Sequence, residues 1–276
     1  MPKLDCGTFE MHFEGTTGPG EPVVLVHGSF GDLRQWLPVA MAMVDKYRLV
    51  FYDRRGHGQS SAPLKSIALS DHVTDLETLI SLVGRGPVHL VGNSYGGIVA
   101  LQFAMNRPDL VRSVSLHEAP LIALVTDDPL QAAGVADFRE KLESARALLA
   151  TKDLPGAARR FVEGLAVGDG GWERLTPEFR QALSENVALG VGELLDPTSQ
   201  SVDLELLPDL RKPLMLTAGS ASLRLYTAIA DRIASEGRSV SRFTFDGAGH
   251  LPQVTHATAF SDIQQRFFQW ATESGG

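Results

Sequence analysis

The sequence predicts an α/β protein: a mostly parallel, doubly wound sheet with a helical cap insertion. Three observations carry this. Short apolar runs alternate with helix-period segments from Val23 to Leu116, the pattern of a parallel sheet with helices on both faces. The rhythm then changes, and Leu121 to Leu207 shows amphipathic helical spacing without a convincing strand. Strand and helix signals resume at Pro213. The chain therefore divides into a core, residues 1–120 and 208–276, and a cap, residues 121–207. At 276 residues and 43% hydrophobic content, it has the material for one large domain with an insertion.

Each element follows from local pattern. Phe9 to Phe13 alternates apolar and polar residues, which suggests an edge strand. Gly15 to Pro22 is a loop. Val23 to Val26 is a buried strand that runs into His27-Gly28-Ser29-Phe30-Gly31. A glycine-flanked loop after a strand can offer backbone N–H groups to a ligand. Trp36 to Val44 has helical spacing, and Arg48 to Tyr52 reads as a strand. Asp53 to Ser60 is a polar, glycine-punctuated loop. Its Arg54, Arg55 and His57 could form an anion site, but a loop held by its own charge pairs is the preferred reading. Ser70 is placed as N-cap of a helix from Asp71 to Val83, with Val73, Leu76, Leu79 and Ile80 on one face.

The centre of the chain is Val88 to Gly97. A short apolar run precedes Gly92-Asn93-Ser94-Tyr95-Gly96, which matches G-x-S-x-G, and an apolar helix follows. A serine between a buried strand and a buried helix stands on a sharp turn, lifted out of the sheet. The N–H groups of the helix N-terminus then lie beneath it and favour developing negative charge. The helix is expected to stop near Arg107-Pro108. Val111 to Leu116 is the next strand, ended by His117-Glu118-Ala119-Pro120. Ser29, Ser94 and Glu118 thus all fall at carboxyl ends of strands, where open parallel sheets bind ligands.

In the cap, Pro129 to Ala150, Leu154 to Leu165 and Pro177 to Leu189 read as helices, with Gly164 to Gly171 as a flexible joint. Leu121, Ile122, Leu124 and Val125 fit an apolar pocket and ordinary packing equally. Beyond the cap, Pro213 to Gly219 and Val240 to Phe245 read as strands, and Leu223 to Ser235 and His256 to Trp270 as helices. Gly247-Ala248-Gly249-His250 ends the last strand.

Composition narrows the function. A net charge of −8 argues against a nucleic-acid partner and an anionic membrane surface. Cys6 is the single cysteine, so no intrachain disulfide or cysteine-rich metal site can form. The N-terminus lacks the pattern of a secretory signal, and no run approaches the ~18 apolar residues of a membrane span. The expected address is the cytoplasm. His12, His72, His89 and His256 are read as packing or surface residues, and neither a metal nor a cofactor is expected. The expected partner is a small-molecule substrate; the oligomeric state is open, a homodimer included.

Four segments, His27-Gly28-Ser29, Asp53 to Ser60, Gly92 to Gly97 and Gly247 to His250, occur in the order found in the α/β-hydrolase family, which the chain resembles over nearly its whole length. The resemblance implies Ser94 as nucleophile and His250 as base. It implies an oxyanion hole from the N–H of Tyr95 with that of Ser29 or Phe30, and a cap over the site. One departure stands out. The family usually carries its acid in a Gly-x-x-Asp loop after the penultimate strand, but here that loop reads Gly219-Ser220-Ala221-Ser222-Leu223. Some members carry the acid after the strand that follows the nucleophile helix, and Glu118 occupies that place. Asp246 is too close to His250 in sequence to reach round to its ring. The run from His117 to Pro120 is similar to one in zearalenone-type lactonases.

The resemblance implies a serine hydrolase that cleaves a small, neutral, largely apolar ester or lactone through an acyl-enzyme. Carbon–carbon bond hydrolysis needs the same residues and stays open. So do a slow-turnover small-molecule sensor and cofactor-free oxygen chemistry on the same fold. A serine at the turn disfavours reactions in which a carboxylate is alkylated.

Overall fold

The computed structural model describes residues 3–60, 67–83, 86–189, 202 and 204–274. Eight strands are present: β1 (Lys3–Asp5), β2 (Glu10–Gly15), β3 (Pro22–Val26), β4 (Arg48–Tyr52), β5 (Val88–Asn93), β6 (Val111–His117), β7 (Leu214–Gly219) and β8 (Val240–Phe245). They form one sheet in the order β1-β2-β4-β3-β5-β6-β7-β8. The β1–β2 and β2–β4 pairs are antiparallel, and all pairs from β4 to β8 are parallel. β1 has only three residues, too few for an alternation to announce a strand in the sequence.

Burial explains why the central strands are legible. β3, β5 and β7 are buried along their whole length, so they read as near-continuous apolar runs. Within β3, Val24 and Val26 join one apolar layer while Val23 and Leu25 join the other, as the two-residue repeat of a strand requires. The helices Leu69–Val83 and Tyr95–Asn106 cover the first face with Leu76, Leu79, Val99 and Phe103. Trp36, Met43, Phe260 and Phe268 cover the second. No helix among the described residues is long and apolar enough to cross a membrane.

Two local expectations are corrected. Ser70 lies inside its helix, which begins at Leu69. The Asp71 carboxylate reaches back to the Ala68 N–H at 3.0 Å, as an acidic residue in the first turn does to the residue just before its helix. Gly164 is not part of a joint: it is buried in a wide helical turn, Val162–Ala166, that continues the helix Leu154–Phe161.

The segment from 121 onward is helical, with Ala132–Ala150, Leu154–Phe161, Gly171–Arg174 and Pro177–Leu189. Its packing is divided. Val135, Phe138 and Leu165 belong to the large core cluster. Ala157, Ala158, Val162, Leu175, Leu183 and Val187 form a separate cluster, and Phe30 from the loop after β3 is part of it. Residues 190–201 and 203 of the expected cap lie outside the described residues.

Candidate active site

Ser94 occupies the turn between β5 and the helix Tyr95–Asn106 with φ 54° and ψ −125°. Left-handed φ is uncommon for a residue with a side chain and is held only where the surroundings dictate it. Two glycines allow the surroundings to close in. A Cβ on Gly96 would strike the carbonyl oxygens of Val26 and His27, and one on Gly92 would strike the backbone of Gly96 and Gly97. The Ser94 N–H donates to the His117 carbonyl at 2.8 Å, which ties the turn to the end of β6, one residue before Glu118.

Glu118 also has a left-handed backbone, φ 48°, and its side chain is buried. One carboxylate oxygen, Oε1, accepts the Gly219 N–H at 2.7 Å, and the other, Oε2, lies 2.7 Å from His250 Nδ1. Burial alone favours the neutral acid. The neighbouring imidazoles of His117 and His250, with the Gly219 N–H, outweigh it and hold the Glu118 pKa down at about 2. The carboxylate is therefore ionised at neutral pH and can only accept, so His250 donates through Nδ1–H. Its Nε2 is left as the lone-pair nitrogen, the tautomer a general base needs.

His250 is fixed on two further sides. Its ring stacks on Tyr226 with centroids 5.0 Å apart, and the Tyr226 hydroxyl donates to the Leu165 carbonyl at 2.9 Å. Burial, then the Glu118 charge, pushes the Tyr226 pKa well above its ordinary value, so the phenol stays neutral. The Asn93 amide donates to the His250 carbonyl at 2.9 Å. His117 is buried beside the carboxylate, with Nδ1 2.9 Å from Thr217 Oγ1. Burial lowers its pKa to about 4 against the pull of Glu118, so it is neutral at pH 7.

Ser29, Ser94 and His250 line one narrow cavity of about 20 Å³. Phe161, Val162, Ala166, Phe179 and Leu183 close it from the helical segment, and Leu251 from the core. Among the described residues of that lining, His250 is the one titratable group. Glu118 stands behind His250. The rings of Phe30 and Tyr95 turn elsewhere: Phe30 meets Phe161 edge-on at 4.6 Å, and the Arg54 guanidinium lies over Tyr95 at 4.9 Å. Any contribution of these two residues to an oxyanion hole is through backbone N–H.

Other sequence candidates lie apart from the cavity. Leu121, Ile122 and Val125 are packed in the large core cluster. Asp246 accepts from Ser220 Oγ at 3.2 Å. The Asp53–Ser60 loop is structural, but its charges are not paired mainly with each other. Arg55 forms a two-pronged pair with Asp75, Arg54 donates to the carbonyls of His27 and Gly28, and Asp53 meets His12 and the Leu33 N–H. Among the described residues, no group of three or more His, Cys, Asp or Glu could hold a metal ion. Sequence reasoning missed Asn93 and Tyr226, neither of which carries a local signal beyond the proximity of Asn93 to Ser94.

Residues 21–257 match the family described as alpha/beta hydrolase fold. A 2-(acetamidomethylene)succinate hydrolase of Mesorhizobium japonicum is 30% identical over 266 residues, 92% of this chain and 91% of that protein. A thermophilic esterase from Thermogutta terrifontis superposes with a TM-score of 0.80 at 23% identity, over 98% of this chain and 99% of its own. An enol-lactonase from Burkholderia xenovorans superposes with a TM-score of 0.72 at 19% identity, over 97% of this chain and 100% of its own. At these identities the two structures speak for the fold alone. The breadth of the family match shows that the chain belongs to the alpha/beta hydrolase fold family, whose curated relatives include hydrolases of several kinds.

Proposed function

We propose that the protein is a serine hydrolase of the carboxylic-ester class, acting on a small, neutral, largely apolar ester or lactone. The observation that carries this is the placement of Ser94 and His250 in one cavity, with Nδ1 of His250 committed to Glu118. Ser94 Oγ attacks the carbonyl carbon while His250 Nε2 takes its proton. Negative charge gathers on the carbonyl oxygen, against the N–H of Tyr95 and that of Ser29 or Phe30. His250 then gives the proton to the leaving alcohol, and the acyl group stays on Ser94. A water, deprotonated by His250, releases the acid and restores Ser94.

The cavity supports a neutral substrate. Among the described residues its lining is mostly apolar and holds no Arg or Lys, so a substrate carboxylate inside it would be buried without a countercharge. The Mesorhizobium relative is a hydrolase of a succinate derivative; the lining here favours an uncharged ester or lactone instead.

Fluorophosphonate labelling with peptide mapping tests the nucleophile, and a panel of esters and lactones tests the substrate class. Labelling at Ser94 with turnover of uncharged esters is expected. Label on another residue, or labelling with no ester or lactone turned over, overturns the proposal.

A further inference from the structure

Gln35 is a polar side chain that the reaction above does not use. It lies in the single helical turn Leu33–Trp36, after the loop that carries Ser29 and Phe30, and is 2% exposed. It lines the same cavity as Ser94 and His250. Its Nε2 makes no hydrogen bond among the described residues. A buried amide donor without a partner is costly, and folded proteins rarely keep one without a reason.

The turn that carries Gln35 is also held in place. The Leu33 N–H at the start of its turn donates to Asp53, and the Gln35 N–H donates to the Asp32 carbonyl. Asp32 itself accepts from Asn186 at 2.7 Å. The Gln35 amide oxygen lies against Gly31, 2.8 Å from where a Cβ would stand. Absence of a side chain at Gly31 leaves room for that amide beside the loop.

We infer that Gln35 is a specificity-determining residue whose Nε2–H donates to a second, uncharged oxygen acceptor of the substrate, near the scissile carbonyl. The inference rests on the serine-hydrolase reading. It narrows the substrate class to esters or lactones that bear a further carbonyl, ether or amide oxygen. An uncharged acceptor fits because the lining, among the described residues, holds no Arg or Lys to balance a carboxylate. A site that offers a buried donor discriminates against an analogue lacking the acceptor, since the donor is then left unpaired.

The test uses matched ester pairs: ethyl acetoacetate with ethyl butyrate, and 2-oxopropyl butyrate with propyl butyrate. Within each pair the carbon skeleton is the same, and only the extra ketone differs. kcat/KM is measured for the wild type and for Gln35→Leu and Gln35→Met. The ratio of keto to alkyl substrate is expected to fall on the order of 10-fold in the variants for at least one pair. Intrinsic reactivity cancels in that comparison.

A change below threefold in both pairs overturns the inference. Should one variant fail to fold, the other carries the test; if neither folds, Gln35 is structural and the inference falls. The serine-hydrolase reading is judged separately, on the wild type. A wild type that is labelled at Ser94 and hydrolyses esters, with unchanged ratios in the variants, sinks the role of Gln35 alone. A wild type with neither labelling nor turnover sinks the reading and the inference with it.

Discussion

The Glu118 carboxylate meets His250 Nδ1 at 2.7 Å across 132 residues of sequence. Its other oxygen is held by the Gly219 N–H at 2.7 Å, so the carboxylate is clamped from two sides and cannot turn away from the ring. The loop where the family usually carries its acid supplies a backbone donor here. Glu118→Gln keeps the shape but removes the charge that stabilises an imidazolium. It also places an amide that can donate to Nδ1, which selects the wrong tautomer. The expected result is a folded protein whose kcat falls roughly 10³–10⁴-fold. Ser222→Ala is expected to change kcat less than about threefold, because that hydroxyl makes no hydrogen bond among the described residues. Steady-state kinetics on the best ester of the panel, beside circular dichroism, checks both. Near-normal kcat in Glu118→Gln refutes the assigned role.

The turn at Ser94 gives a second prediction. At Gly96 a methyl group would collide with the carbonyl oxygens of Val26 and His27, which belong to backbone and cannot swing aside. Gly96→Ala must displace the helix Tyr95–Asn106 or β3. Overpacking of this kind costs about 1–3 kcal/mol or more. A lower melting temperature is expected, together with loss of fluorophosphonate labelling at Ser94. A variant that melts and labels like the wild type would show that the turn is not held as tightly as its contacts imply.

The third prediction concerns acid. Burial lowers the pKa of His117 and of His89 to about 4, from an ordinary value of 6.5. Between those values the unfolded chain binds protons that the folded chain refuses. The stability from the neutral rings is therefore complete above pH 6.5 and lost as pH falls toward 4. Each ring contributes a slope of at most about 1.4 kcal/mol per pH unit. Glu118 has the same sign at lower pH: its stabilisation is present above 4.5 and disappears as pH falls toward 2. Melting temperature should be flat near pH 7, decline from 6.5 and fall faster below 4.5. His117→Gln keeps a donor for Thr217 and has nothing to titrate, so its decline between pH 6.5 and 4 should be shallower. An unchanged slope removes His117 as a source.

What the sequence reveals follows the range of the interactions. β4 and β8 run over the expected residues, Arg48–Tyr52 and Val240–Phe245, because strand pattern and bounding turns are written locally. The turn at Ser94 is legible for the same reason: Gly92 and Gly96 announce close backbone approach. Ser70 misled because the helix starts one residue earlier, at Leu69, which puts Ser70 inside the first turn and lets Asp71 reach back to the Ala68 N–H. Glu118 came into view only because a carboxylate was missing elsewhere. Tyr226 stacking on His250 and Gln35 facing the cavity are long-range relationships with no periodic trace. The divided packing of the helical segment is hidden likewise, since Val135 and Val187 look alike in sequence but join different clusters.

The last prediction concerns how that segment governs access. Asn186, in the helix Pro177–Leu189, is buried and bridges to the core. Its Oδ1 accepts the Gly58 N–H at 2.9 Å, and its Nδ2 donates to Asp32 at 2.7 Å. Leu183, one turn earlier, lines the cavity. Three groups thus share one side chain: the loop after β4, the turn that carries Gln35 and the roof over Ser94. Asn186→Ala leaves the Gly58 donor unpaired and takes one of two hydrogen bonds from Asp32 Oδ2, which keeps the Arg34 guanidinium at 2.6 Å; the loss is about 1–3 kcal/mol. In a chain of this size that lowers the melting temperature by about 2–10 °C. If the bridge also holds the roof down, longer acyl chains gain access. In p-nitrophenyl esters from acetate to octanoate, kcat/KM should then rise severalfold for the long chains relative to acetate. A melting temperature that falls with an unchanged chain-length profile would mean that Asn186 supports the fold and does not gate the cavity.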